Sequence, residues 1–254
     1  MYVLAIETTG AYASVALAES RHAKADPEQS ENARGEMTQL AAVHGNDRFS
    51  HLQNLTPQIQ RVLDKCQLSI GDVDALAVSV GPGSFTGIRI GVSTARALAQ
   101  VTGKPCVAVS SLEALAIRTR QLHDGQEEYE ELLICPILDA RRSQVYGGGY
   151  FVKDRETEEK IKAGPYTIEE FLELAKGFDN VLFAGDGVDA YREKIKEIRP
   201  EGTAFASVYQ DAEQVAALGI KLAEEGRCCS FGELKPDYMR LAEAERKLRE
   251  KQNG

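Results

Sequence analysis

Tryptophan is missing from this 254-residue chain, aromatic residues make up only 7%, and no apolar stretch reaches the roughly 20 residues that a membrane-spanning helix needs. The apolar Tyr2–Ile6 segment lacks the basic flank of a signal peptide, so a cytoplasmic protein with no membrane association is expected. Cysteines number five (Cys66, Cys106, Cys135, Cys228, Cys229), an odd set without a C-x-x-C pair, which points to reduced structural thiols. Cys228 and Cys229 follow Arg227, but one neighbouring Arg makes a weak case for a reactive thiol. The histidines, His22, His44, His51 and His123, show neither H-x-x-x-H nor H-E-x-x-H, so no metal site is expected. Positive charge is also short. Against 39 acidic residues stand 30 basic ones, for a net charge of -9 and a pI near 5.1. Such a chain is poorly suited to hold nucleic acid by phosphate neutralisation alone, and any RNA contact must lean on a partner.

What is present is a concentrated glycine signal. Residues 81–91 read Gly81-Pro82-Gly83-Ser84-Phe85-Thr86-Gly87-Ile88-Arg89-Ile90-Gly91, between an apolar run, Ala75–Val80, and an alanine-rich helical pattern. Glycine serves where backbone must turn to positive φ or approach another group closely. Two neighbours suit such a turn: a phosphate on helix-start amides, or a second helix on a small-residue face. No Lys-Ser or Lys-Thr follows Gly87, and glycines at 81, 83 and 87 miss the Rossmann spacing, so the helix contact is favoured. Gly87, Gly91, Ala95 and Ala99 recur every four residues and line one stripe. Whether that stripe meets the chain's own sheet or another subunit stays open at this level. Ser84 and Thr86 read as turn and cap hydroxyls, not nucleophiles.

Length and pattern favour two α/β domains. Tyr2–Ile6 and Tyr12–Ala18 read as strands joined by a tight turn, and Thr38–Val43 as a third strand beyond a polar excursion at 21–36. Ser50 is the expected cap of a helix carrying Leu52, Leu55, Ile59 and Val62, with Pro57 bending or delaying it. Strand Cys106–Val109 precedes a helix capped by Ser110 or Ser111. The opening theme then returns: Leu132–Leu138 ends in Asp139-Ala140 and is followed by an alternating strand from Ser143, as Leu4–Ile6 ends in Glu7-Thr8 before Ser14–Leu17. An internal duplication of an α/β unit follows, the second copy degraded, with domains at 1–125 and 126–234 and a tail at 235–254. In the second copy, helices near Ile168–Lys176, Gly185–Ile198 and Ala212–Glu225 and a strand at Val181–Ala184 are expected.

Taken in order, Ala5-Ile6-Glu7-Thr8-Thr9, the glycine segment 81–89, Ser110-Ser111-Leu112-Glu113-Ala114-Leu115, Asp139-Ala140-Arg141-Arg142 and Pro236-Asp237-Tyr238-Met239-Arg240 closely resemble the TsaB (YeaZ) family over nearly the whole chain. The resemblance implies an actin-like ASKHA fold and a part in making threonylcarbamoyladenosine beside the tRNA anticodon. It implies a non-catalytic subunit that pairs with a TsaD-like transferase, works with a TsaE-like ATPase after a TsaC-type enzyme has made the activated adenylate, meets tRNA indirectly, and forms a homodimer when alone. No cofactor is expected in the isolated chain; ATP and a divalent metal belong to partner subunits. The polar excursion at 21–36 is longer than the family pattern leads one to expect.

By the same resemblance, the pairing surface is made by the first two helices. His51, Leu52, Leu55 and Ile59 from the first, with Gly87, Ile90, Gly91, Thr94, Ala95 and Leu98 from the second, are the expected interface. Glu7, Thr8 and Thr9 occupy the place where ASKHA enzymes manage metal and phosphate; Glu7 is read as bonding its own turn in preference to ordering a metal-bound water. Asp139, Arg141 and Arg142 are expected to brace the interdomain hinge, and Gly185-Asp186-Gly187 is a thin nucleotide signature. The competing reading is an ASKHA phosphotransferase or hydrolase acting alone, which needs working phosphate loops in both halves. A glycoprotease needs a metal centre or an activated nucleophile, and neither is visible.

Overall fold

The computed structural model describes residues 1–21, 36–48, 50–123, 131–153 and 156–239. Nearly all of the polar excursion, and the tail from Arg240, lie outside the described residues. The first lobe contains β1 (Tyr2–Glu7), β2 (Ser14–Arg21), β3 (Glu36–His44), α1 (His51–Lys65), β4 (Ala75–Gly81), α2 (Phe85–Thr102), β5 (Cys106–Ser110) and α3 (Ser111–His123). The second contains β6 (Leu133–Asp139), β7 (Gln144–Lys153), β8 (Glu156–Thr167), α4 (Ile168–Ala175), β9 (Val181–Ala184), α5 (Asp186–Ile198) and β10 (Thr203–Ala206), after which α6 (Ala212–Glu224) closes the described helices.

Each lobe has a five-stranded sheet, ordered β3-β2-β1-β4-β5 in the first and β8-β7-β6-β9-β10 in the second. The orders coincide strand for strand. In both, the opening strand pairs antiparallel with the next and parallel with the fourth. This repeated sheet, flanked by helices, is the actin-like architecture, and it places Glu7 and Asp139 at equivalent strand ends. β10 has no counterpart among the expected elements: it is four half-buried residues, Thr203–Ala206, too short to show a period.

Sheet one is covered on both faces, which explains why β1 and β4 read as unbroken apolar runs. Leu4, Ile6, Leu76 and Val78 point toward α1 and α2, while Val3, Ala5, Ala75 and Ala77 point toward α6. The small residues on that second face let α6 lie close, with Gly219 directly over Ala77. Helix α6, expected within the unit 126–234, therefore completes the first lobe's sheet. Helix α3 serves both lobes. Ala114 and Ile117 join the core of sheet one, and Leu112, Leu115 and Ala116 pack with Ile134, Leu138 and Leu182 of sheet two. Two polar ties span the same seam, Thr157 Oγ1 donating to Glu113 at 2.6 Å and Lys221 to Glu156 at 2.6 Å.

Pro57 does not delay α1, which runs unbroken from His51 to Lys65 with the ring on its exposed side, where water can satisfy the carbonyl that loses its partner. Ser50 makes no side-chain cap; its hydroxyl donates to Asp47 O at 2.8 Å. Of the two serines before α3, Ser110 accepts from the Glu113 amide at 3.4 Å, whereas Ser111 is wholly buried and donates to the Pro82 carbonyl.

The open question of the glycine stripe is settled by contacts. Gly87, Gly91, Ala95 and Ala99 are all buried. A Cβ at Gly87 would overlap the Thr8 carbonyl oxygen, and one at Gly91 the Thr8 hydroxyl, with Ile6 and Val78 at 3.5 Å. The stripe thus lies on the chain's own first sheet, and it is bare because the backbone of the β1 turn passes beneath it. Replacing Gly91 with Leu forces at least four atoms into a filled space, so Gly91→Leu is expected to lower stability by about 3 kcal/mol or more in urea titration. Ala97→Leu, on the exposed side of α2, should stay within about 0.5 kcal/mol of wild type.

Candidate functional site

At the end of β4 the chain enters the glycine turn, where Gly81 takes φ +123°, a value that favours glycine. A side chain there would also overlap the carbonyl oxygen of Asp237. That contact belongs to a strap, residues 227–239, that returns from α6. Leu234 is buried in the α1/α2 core, the Asp237 amide donates to Val80 O at 2.8 Å, and Tyr238 stacks on Phe85 with ring centroids 4.6 Å apart. Arg89 sits over Phe85, its guanidinium carbon 4.0 Å from the ring centroid, and donates from Nε to the Tyr238 hydroxyl at 3.0 Å. Two sequence motifs about 150 positions apart, the glycine turn and Pro236–Met239, are therefore one structural unit. Nothing in their composition announces that pairing.

The start of α2 is closed by the chain itself. The Ser84 amide donates to Thr9 O at 2.8 Å, the Gly87 amide to Ser84 Oγ at 3.2 Å and the Ile88 amide to Ser84 O at 2.8 Å, while Thr8 Oγ1 donates to Gly87 O at 2.8 Å. Two donors that a phosphate could use, the Ser84 and Gly87 amides, are thus engaged internally. Gly10, in the β1–β2 turn, has the Gln210 side chain packed 3.1 Å from where its Cβ would stand. Thr86 lies exposed on the outer rim.

Beneath this turn lies Glu7, wholly buried, with Oε1 accepting from the Thr9 amide and from Thr9 Oγ1 at 2.6 Å. Its carboxyl bonds its own turn, in line with the sequence reading. Oε2 and the neighbouring Ser79 hydroxyl are buried without a partner among the described residues. Burial pushes the Glu7 carboxyl above the usual carboxylate range, against the opposing pull of the Thr9 hydrogen bonds. A protonated Oε2, like the Ser79 hydroxyl itself, is a donor that suits this pair.

At the equivalent place in the second lobe, Asp139 accepts from the Arg141 amide at 2.8 Å and donates its own amide to Asp186 Oδ1 at 3.0 Å. Burial raises the Asp186 carboxyl, with Asp139 adding like-charge repulsion. Arg141, Arg142 and Ser143 all take positive φ and are exposed at the tip of this turn. These contacts of Asp139 and of the Arg141 amide run within the second lobe, and α3 is the helix that packs on both sheets. Gly185 caps α5 with φ +96° under the Ile137 carbonyl, and its amide donates to Val208 O at 3.0 Å. Sequence reading missed one charged cluster. His44, Asp211 and Glu213 bring possible ligand atoms within 4.8 Å of one another. Arg118 already pairs with Asp211 at 3.0 Å and Glu213 at 3.2 Å, and Asp211 caps α6, accepting from the Glu213 amide at 2.6 Å. The arrangement clasps α6 to the edge of sheet one.

Helices α1 and α2 lie side by side on one face of sheet one. Six of the ten expected interface residues are internal: His51, Leu55 and Ile59 of α1 and Gly87, Gly91 and Ala95 of α2 are all buried in the chain's own core. They are corrected from contact residues to supports. Their burial follows from the period, since an apolar stripe every three to four residues faces the sheet first. Leu52 is 73% exposed, Ile90, Thr94 and Leu98 are partly exposed along one flank of α2, and Val101 is 86% exposed. With half-bare Phe85, these form the accessible apolar face of the helix pair.

Because Glu7 has a raised folded-state pKa, its contribution to stability is present in full below the ordinary glutamate value and is lost as pH rises through the folded value. Glu7→Gln keeps the acceptor for Thr9 and supplies a donor to Ser79 without the charge. In thermal melts its Tm should match wild type near pH 4 and exceed it by about 3 °C at pH 8; a lower Tm at pH 8 would refute a raised Glu7 pKa.

The family model for TsaD, described as tRNA N6-adenosine threonylcarbamoyltransferase, matches residues 48–248. The tRNA threonylcarbamoyladenosine biosynthesis protein TsaB of Bacillus subtilis (strain 168) is 35% identical over 204 residues, 80% of this chain and 85% of its own. TsaB of Escherichia coli (strain K12) is 28% identical over 207 residues, 78% of this chain and 84% of its own. The solved structure of YeaZ from Pseudomonas aeruginosa superimposes with a TM-score of 0.73 at 26% identity, covering 93% of this chain and 99% of that one. With the duplicated sheet, the strap-covered glycine turn and these likenesses together, the chain belongs to the TsaB (YeaZ) family.

Proposed function

We propose that this chain takes part in threonylcarbamoyladenosine biosynthesis on tRNA, the process for which its Bacillus and Escherichia relatives are named. Within it, the chain is a non-catalytic subunit that binds and activates a TsaD-type transferase. One observation carries the reading: at the α2 start the Ser84 and Gly87 amides, which could otherwise meet a phosphate, are bonded within the chain to Thr9 and Ser84, while the helices beside it leave Leu52 and Val101 bare. The fold has kept its shape and turned its first helices outward. ATP and a divalent metal are assigned to partner subunits, a TsaE-like ATPase acts through the assembly, and a chain of net charge -9 meets tRNA through its partner. The same face accounts for a homodimer when the chain is alone, because one apolar patch serves either partner.

Burying a fully exposed Leu or Val contributes about 1.5 to 3 kcal/mol before association costs are subtracted. The pair Leu52→Asp and Val101→Asp is therefore expected to weaken binding to a TsaD-type partner by about 100-fold or more in titration calorimetry, with an unchanged urea midpoint. Unaltered affinity would move the interface elsewhere.

Reconstitution separates this reading from a freestanding phosphotransferase. A TsaD-type transferase supplied with the activated threonylcarbamoyl donor should modify tRNA at least about tenfold faster when this chain is added. The chain alone should neither turn over ATP nor bind it with a micromolar Kd, and such binding would favour the lone-enzyme alternative.

A further inference from the structure

The strap meets the first sheet at a pair of cysteines. Cys106 opens β5, the edge strand, and Cys229 lies across from it in an isolated antiparallel bridge. Each backbone serves the other: the Cys106 amide donates to Cys229 O at 2.8 Å and the Cys229 amide to Cys106 O at 2.9 Å. Residues that exchange both bonds stand about 5.5 Å apart at Cα, with side chains on the same face. A disulfide spans Cα separations of roughly 4.4 to 6.8 Å and needs Cβ atoms about 3.5 to 4.5 Å apart, closer than the roughly 5.5 Å of a hydrogen-bonded pair, so the strap shifts by about 1 Å toward β5 as the bond closes. The shared face is visible in the packing, since Cys106 belongs to the α1/α2 core and Cys229 packs against that same core. Both are free thiols, Cys106 buried and Cys229 partly open, while Cys228 is exposed.

We propose that Cys106 and Cys229 form a dithiol modification site that a low-molecular-weight disulfide oxidises to a cross-strand disulfide. Cys229, which reaches solvent, reacts first: its thiolate attacks one sulfur of the small disulfide, forming a mixed disulfide and releasing one small thiol. Cys106 sulfur then attacks Cys229 Sγ, the second small thiol leaves with the proton Cys106 gives up, and the two protein sulfurs are joined. Two protein thiols are oxidised and one small disulfide is reduced to two thiols. Burial pushes the Cys106 thiol up to about 11 and also raises Cys229, so the exchange is expected to run faster as pH rises.

The bond closes a loop that contains the whole second lobe and α6, and it fixes the strap where it leaves the helix. Leu234, Asp237 and Tyr238 all lie just beyond Cys229, so the covalent tie holds the cover of the glycine turn in place. Redox state then sets how firmly that cover is held.

The full-length protein, incubated with oxidised glutathione in excess over reduced, alkylated and mapped by peptide mass spectrometry, should yield a Cys106–Cys229 linked peptide with Cys228 alkylated. Tm should rise by about 5 °C or more and return on treatment with dithiothreitol. Cys228→Ser should retain both effects and Cys229→Ser should lose both, with the urea midpoint of reduced Cys229→Ser matching reduced wild type to show that it folds. A Cys228–Cys229 link, glutathione held only on Cys228, or a Tm unchanged by a confirmed Cys106–Cys229 link would overturn the proposal.

Discussion

The structure turns on the passage of one backbone segment under one helix. Thr8 and Thr9 leave β1 and cross beneath the first two turns of α2 so closely that no Cβ fits between them, and the hydrogen bonds from Ser84, and from Thr8 to Gly87, fasten the crossing. Everything around it follows. Small residues at 87, 91, 95 and 99 set the distance of α2 from the sheet, which in turn leaves the outer side of α2 level with α1. Glu7 is sealed below, and the strap is laid over the top through Asp237 and Tyr238.

That crossing also explains how one observation in the sequence supports two opposite functions. A glycine turn at a helix start signals close approach but does not name what approaches. Here the visitor is the chain's own turn. Absence of the P-loop lysine was legible and spoke against a P-loop, but periodicity alone cannot tell a sheet from a second subunit, because both demand the same bare ridge. The two-lobe duplication was readable from the recurrence of a strand ending in Glu7 or Asp139 before a second strand, and the strand orders agree with it.

Other features were hidden for physical reasons. Helix α6 looks like a continuation of the second lobe in sequence, yet its Ala212, Ala216 and Gly219 face complements the Ala5, Ala75 and Ala77 face of sheet one; complementarity between distant small residues leaves no periodic trace. His51, Leu55 and Ile59 were placed on the pairing surface by resemblance, but Leu55 and Ile59 belong to the helix's apolar period, which marks the inward side. The apolar residues that remain exposed, Leu52 and Val101, are outside the stripe. Tyr238 and Arg89 meet across 149 positions, a distance at which a motif can be recognised but not its contact.

Helix α3 carries a consequence of its own. Two sheets joined through one helix could swing about it like plates about a crease. In this chain Leu112 and Leu115 are committed to one plate and Ala114 and Ile117 to the other, and all are nearly or wholly inaccessible to water. Opening the crease would strip apolar surface from both sides of that helix at roughly 25 cal/mol for each Å² bared. The two plates are therefore braced on a single rib, and any swing between them starts with a cost in bared hydrocarbon.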